Sequence, residues 1–96
     1  MPSSTAVVVT DSPARYAKQL VSHLGRKVPV EEEPGANGHR LAFDYGVGII
    51  TSGTDRLLLR AEAADPDALS RVEGVLARHL ERFGQEAGLA VNWVRG

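Results

Sequence analysis

Residues 12–30, SPARYAKQLVSHLGRKVPV, constrain the fold more than any other part of the chain. At about 100° per residue, Tyr16, Ala17, Leu20, Val21 and Leu24 share one face, which predicts an amphipathic helix with a single apolar stripe. Ser12 can cap that helix, Pro13 suits its first position because a backbone N–H is not needed there, and Gly25 can end it. A second helix is punctuated in the same way. Asp65 is its cap, Pro66 its first residue, Asp67 adds negative charge near its N-terminus, and Gly84 or Gly88 can stop it. Leu69, Val72, Leu76, Leu80 and Phe83 form its stripe, with Val75 at the margin. Both stripes need a surface to cover them.

The remaining apolar runs supply that surface as strands. Residues 5–10 are rich in Val and bounded by Asp11-Ser12-Pro13, and residues 28–32 form a short extended segment. Pro34-Gly35-Ala36-Asn37-Gly38 reads as a turn, after which Leu41, Phe43 and Tyr45 alternate with Ala42 and Asp44 as in a half-buried strand. Gly46 or Gly48 is expected to make a turn or bulge before Ile49-Ile50, and Leu57-Leu58-Leu59 forms a further apolar strand. Residues 89–94 close the chain as a strand with Leu89, Val91 and Trp93 on one side. The expected fold is a single α+β domain over residues 1–96, in the order β-α-β-β-β-β-α-β, with two helices on one face of a mainly antiparallel sheet. A split β-α-β (ferredoxin-like) variant is the first topology expected. A β-α-β-β-β-β-α unit like half of a TATA-binding protein is the second.

Composition excludes several function classes. The absence of cysteine removes disulfides, thiolate catalysis and cysteine-ligated metal centres. Eleven basic against 12 acidic residues give a net charge of -1, which argues against a surface built wholly to hold nucleic acid. The N-terminal apolar stretch is too short to span a bilayer and lacks a basic leader, so a soluble cytoplasmic protein with no membrane partner is expected. Val7-Val8-Val9, Ile49-Ile50 and Leu57-Leu58-Leu59 would place apolar side chains on both faces of the sheet. That pattern makes a homodimer the leading explanation for how the second face is covered.

Polar residues on the helices give the candidate site. Arg15, Lys18, Gln19, Ser22 and Arg26 lie away from the first stripe, His23 lies at its edge, and no acid occurs over residues 12–30. Such a face can hold a carboxylate, a phosphate or an acidic partner, or it can simply be solvated. His79 falls inside the second stripe and needs a hydrogen-bond partner if buried. Side-by-side packing of the helices would let His23 and His79 meet, and Glu73 or Glu31 could then be a third metal ligand, but no ligand spacing supports a metal centre. Glu31-Glu32-Glu33 reads as a solvated acidic turn, Gly46-Val47-Gly48 is too short for a dinucleotide fingerprint, and no catalytic motif is present. Phe43, Tyr45 and Trp93 could form an aromatic platform but read as core.

The run Arg15-Tyr16-Ala17-Lys18-Gln19-Leu20-Val21-Ser22-His23-Leu24-Gly25-Arg26-Lys27-Val28-Pro29-Val30-Glu31 closely resembles the opening helix and second strand of the bacterial family catalogued as domain of unknown function 2218. Arg60-Ala61-Glu62-Ala63, His79-Leu80-Glu81-Arg82-Phe83 and a closing strand ending at Trp93 resemble its second half. The resemblance implies a small bacterial protein without an established activity. Some similar domains are appended to siderophore-interacting flavin reductases, which implies an accessory role in iron handling and a flavin-dependent siderophore reductase as partner. The family's characteristic polar positions correspond to Arg15, Lys18, Gln19, His23, Lys27 and His79. The chain departs from the family pattern at Glu31-Glu32-Glu33-Pro34-Gly35 and at Gly46-Val47-Gly48.

The functional expectation is therefore a non-enzymatic binding or interaction module with no catalytic residues, no cofactor and no metal. Arg15, Lys18, Gln19, His23, Lys27 and His79 are its contact residues. The alternative is a nucleic-acid-binding module that uses the basic first helix.

Overall fold

Two helices lie side by side on one face of a six-stranded antiparallel sheet in a computed structural model that describes residues 2–33, 38–85 and 88–95. The elements are β1 (Ser3–Val9), α1 (Pro13–Leu24), β2 (Val30–Glu33), β3 (Gly38–Phe43), β4 (Gly46–Ser52), β5 (Arg56–Ala63), α2 (Pro66–Phe83) and β6 (Val94–Arg95). Across the sheet they run β2-β3-β4-β5-β1-β6. β1 thus stands between β5 and β6, which is the split β-α-β arrangement, and the β2-to-β5 meander carries two strands more than the ferredoxin-like pattern. The second expected topology shares the first seven elements and lacks β6.

The alternation read from the sequence decides which face is buried. Ala6 and Val8 of β1 and Leu57, Leu59, Ala61 and Ala63 of β5 point under the helices, while Val7, Val9 and Leu58 point the other way. Leu20 from α1 and Leu69, Val72, Leu76 and Leu80 from α2 fill the layer between, with Leu41 and Ile50 beneath them. Each of these is almost wholly removed from water, so each contributes on the order of 1.5–3 kcal/mol.

The turn expected at Gly46 or Gly48 forms just earlier, at Asp44-Tyr45, and neither glycine makes a bulge. Both lie inside β4, whose register with β3 and β5 runs unbroken. Their missing side chains leave room for the second helix: a Cβ on Gly46 would sit 2.5 Å from the Glu62 carbonyl and 2.7 Å from Val72, and one on Gly48 would sit 3.0 Å from Leu76. The two glycines let α2 settle onto β4.

Other boundaries also differ from expectation. Ser12 occupies the N-cap of α1 but makes no capping bond with its side chain; instead its N–H donates to Thr10 Oγ1 at 3.2 Å. Asp65 caps α2 as expected, accepting from the Ala68 N–H at 2.7 Å. β3 ends at Phe43, and Tyr45 belongs to the turn that follows. Of the expected turn at Pro34-Gly35-Ala36-Asn37-Gly38, the first four residues lie outside the described residues and Gly38 already pairs with Glu33. In the last segment Leu89, Val91 and Trp93 do pack on the core, but only Val94–Arg95 join the sheet. The Val91 N–H is taken by Glu81 Oε2 at 3.0 Å, so a helix side chain holds the backbone where a strand would.

β6 is secured to α2 by Arg95. Its guanidinium donates to Glu73 Oε1 at 3.0 Å, to Glu73 Oε2 at 3.3 Å and to Ser70 Oγ at 2.7 Å. Partial burial pushes the Glu73 carboxyl up, but the Arg95 hydrogen bonds, the nearby Ser4 hydroxyl and the Arg95 charge outweigh burial and hold it below the ordinary range. The Ser4 hydroxyl itself is buried and completes no full hydrogen bond among the described residues.

Two measurements check this arrangement. In urea unfolding, Leu76→Ala should lose roughly 2–5 kcal/mol by leaving a cavity, and Gly46→Ala roughly 1–3 kcal/mol by overpacking beneath α2. A carboxyl depressed in the folded state adds stability above its unfolded value, and that stability is lost as pH falls through the folded value. The stability gap between the native chain and Glu73→Gln should therefore be full at neutral pH and close as pH drops below about 4.5.

Candidate functional site

The last turn of α1, the segment after it, the β3–β4 turn and the middle of α2 converge on one cleft of about 280 Å³. His23, Lys27, Pro29, Phe43, Tyr45 and His79 carry most of its chemistry, and Asp44 is the acid that lines it. The docking of the two stripes explains why they meet. His23 sits just before Leu24 and His79 just before Leu80, so burying those leucines between the helices brings the imidazoles together at the rim. The ring centroids lie 4.9 Å apart with the planes tilted by 44°.

His79 finds the partner that its place in the stripe demands. Its Nδ1 lies 2.7 Å from the Val75 carbonyl one turn earlier. A carbonyl only accepts, so Nδ1 carries a proton, and in the neutral ring Nε2 has its lone pair free to accept a hydrogen bond. His23 is exposed and meets the edge of Phe83 at 5.7 Å. Partial desolvation, together with the positive surroundings of His79, Arg26, Lys27 and Arg82, holds its pKa below the usual 6.5. The site crowds positive charge around a group that can still accept a proton.

The opposite wall is aromatic. Phe43 and Tyr45 stack at 5.5 Å with 20° between their planes, and the Arg71 guanidinium lies 4.1 Å from the Tyr45 ring centroid. A cation so placed stabilises the ring and helps fix its orientation. A second, more open hollow of about 310 Å³ adjoins the cleft across His23 and is lined by Lys18, Gln19, Ser22, His23, Arg26 and Phe83. Gln19 Oε1 is buried without a hydrogen-bond partner among the described residues.

The six residues singled out in the sequence are thus divided. His23, Lys27 and His79 line the cleft, Lys18 and Gln19 line the hollow beside it, and exposed Arg15 lines neither. Phe43 and Tyr45, read as core, are half-buried walls of the cleft, whereas Trp93 packs partly on the core away from it. Asp44 and Arg71 gave no signal in the sequence, because a turn residue and an exposed helical cation look ordinary until the hairpin folds against α2. Glu73 cannot join the histidines, being engaged by Arg95. Among the described residues no three Asp, Glu or His side chains converge as metal ligands. Among them, too, no helix is long and apolar enough to cross a membrane.

Fold and cleft together define a small α+β domain built around a meeting of two helices over an antiparallel sheet. The chain belongs to the family described as "Uncharacterized protein conserved in bacteria (DUF2218)", whose model matches residues 5–94. It is similar to PA4090 from Pseudomonas aeruginosa, known from an NMR structure, with 31% sequence identity and a TM-score of 0.80 over 98% of this chain and 96% of that one. No curated protein matches the chain.

The histidine pair makes a titration prediction. A histidine whose folded pKa lies below its unfolded value resists protonation in the native state, so it adds stability at high pH that is lost as pH falls through about 6.5. Between pH 8 and 5 the native chain should lose more melting temperature than His23→Gln.

Proposed function

We propose that the cleft binds a small hydroxylated aromatic carboxylate and that the protein is a non-enzymatic binding module. The observation that carries this reading is the meeting of His23 and His79 beside a stacked aromatic wall, within a cluster of positive charge. Each part of such a ligand has a complement. Its ring lies against Phe43 and Tyr45, its carboxylate meets the Lys27 ammonium and a protonated His23, and its hydroxyl donates to His79 Nε2. A volume near 280 Å³ is at the lower end of ligand pockets, which suits a single ring. Such rings are the iron-chelating arms of catecholate siderophores. We extend the proposal to an accessory role in iron handling, with one arm of the chelate held in the cleft and a flavin-dependent reductase as the partner that receives it.

An anion beside His23 raises its pKa, so binding takes up a proton and tightens as pH falls from 8 towards 6. Ligands of about ten heavy atoms at roughly 0.5 kcal/mol per atom bind with a dissociation constant on the order of 0.1–1 mM. Titration calorimetry and amide chemical shifts with 2,3-dihydroxybenzoate should show that affinity, with shifts centred on residues 23–29, 43–45 and 75–79. Lys27→Ala and His79→Ala should each weaken it about tenfold, equivalent to ~1.4 kcal/mol, and Arg15→Ala should leave it unchanged. Benzyl alcohol binding as tightly as the acid, or shifts confined elsewhere, would contradict the assignment. Ferric catecholates added with and without a flavin reductase then test the link to iron.

A further inference from the structure

We infer that the helix-free face of the sheet is a self-association surface, on which a second copy of this chain docks about a two-fold axis parallel to the strands and passing between β1 and β5. Val7, Val9, Leu58 and Val94 project from this face at 52%, 72%, 41% and 69% exposure, and Ile49 projects beside them. They form one patch over β6, β1, β5 and β4, because the register runs Val94, Thr5, Arg60, Ile49 along one row and Val7, Leu58, Thr51 along the next.

The order within those rows is self-complementary. A rotation about the stated axis exchanges β1 with β5 and β6 with β4 across the interface. Val7 of one copy then faces Leu58 of the other, Val94 faces Ile49, and Thr5 faces Arg60. Apolar meets apolar at the first two contacts, Val9 faces the aliphatic stem of Arg56, and both arginines keep their own acids: Arg60 Nε lies 2.8 Å from Glu62 Oε2 and Arg56 Nε 3.2 Å from Asp55 Oδ1. Arg40 and Glu31 fall beyond the overlap, opposite each other in their own sheet. An axis half a strand spacing away, along β5, would instead oppose Arg60 to Arg60 and Val94 to Arg40, so like charge excludes that neighbouring register.

The edges of the sheet cannot serve instead. β2 presents the exposed carboxylates Glu31 and Glu32, and β6 offers only two residues for pairing. Nor is the face suited to a phosphate backbone, since Arg56 and Arg60 are each held by a neighbouring carboxylate. β1 and β5 overlap over some seven residues but β6 and β4 over only two, so ~4.8 Å spacing and ~3.4 Å rise give a projected area of about 300 Å² per copy, below that of a stable interface and in the range of weak, transient contacts. Such an area fits a weak, reversible dimer, with a dissociation constant on the order of 100 μM.

Sedimentation velocity from 5 to 500 μM tests the inference on the intact chain. The expected result is a monomer–dimer equilibrium, and a monomer at every concentration overturns it. Val7→Glu and Leu58→Lys should each be monomeric throughout that range with an unchanged melting temperature, since both side chains point away from the core. Should either unfold, Val94→Glu at the edge strand replaces it. A 1:1 mixture of Val7→Glu and Leu58→Lys should recover dimer, because the mixed pair sets Glu against Lys at one of the two equivalent contacts. Variants that dimerise like the native chain contradict the surface, and a mixture that stays monomeric contradicts the Val7–Leu58 register.

Discussion

The close seating of α2 on β4 is the constraint on which the rest of the molecule depends. Gly46 and Gly48 remove two side chains from the floor of the helix layer, and Val72 and Leu76 descend into that space. A helix held at this depth presents Leu80 to the same buried layer as Leu20 and Leu24 of α1, and the two helices then share a seam. His23 and His79 are carried to one end of that seam by their neighbouring leucines. The histidine pair is thus a consequence of hydrophobic packing, made without any covalent or metal link.

Electrostatics then give the packed seam a chemical character. The chain as a whole is nearly neutral, yet Arg26, Lys27 and Arg82 gather around His23. Like charges held together raise the free energy of the unliganded state, and an anion placed among them lowers it. The aromatic wall works in the same direction by offering a flat, poorly hydrated surface beside the charge. At the other end of the sheet the opposite strategy operates, with Arg95 and Glu73 satisfying each other and fastening β6. One cluster gathers like charge and the other is closed on itself.

Much of this was legible in the sequence because it depends on periodicity. The stripes of both helices, the Asp65 cap, the alternation of β1 and β5 and the inward side of residues 89–93 all follow from short-range spacing that packing respects. The approach of His23 to His79 was legible for the same reason, as a corollary of side-by-side helices. What escaped depends on contacts between distant segments. Gly46 and Gly48 look like turn residues, and only the arrival of α2 shows that they are sites of close approach. Phe43 and Tyr45 look like core, and only the position of the β3–β4 turn beside α2 makes them the wall of a cleft. The closing strand shrinks to two residues because Glu81 competes for the Val91 N–H.

A carbon-edited NOE spectrum of the uniformly labelled protein, with the imidazole nitrogens recorded alongside, tests this account most directly. Seating of α2 on β4 predicts contacts between the Gly48 α-protons and the Leu76 methyls, contacts between the His23 and His79 rings, and a His79 ring protonated on Nδ1 at neutral pH. Contacts from Leu76 that bypass Gly48, or a neutral His79 protonated on Nε2 and remote from His23, would contradict it.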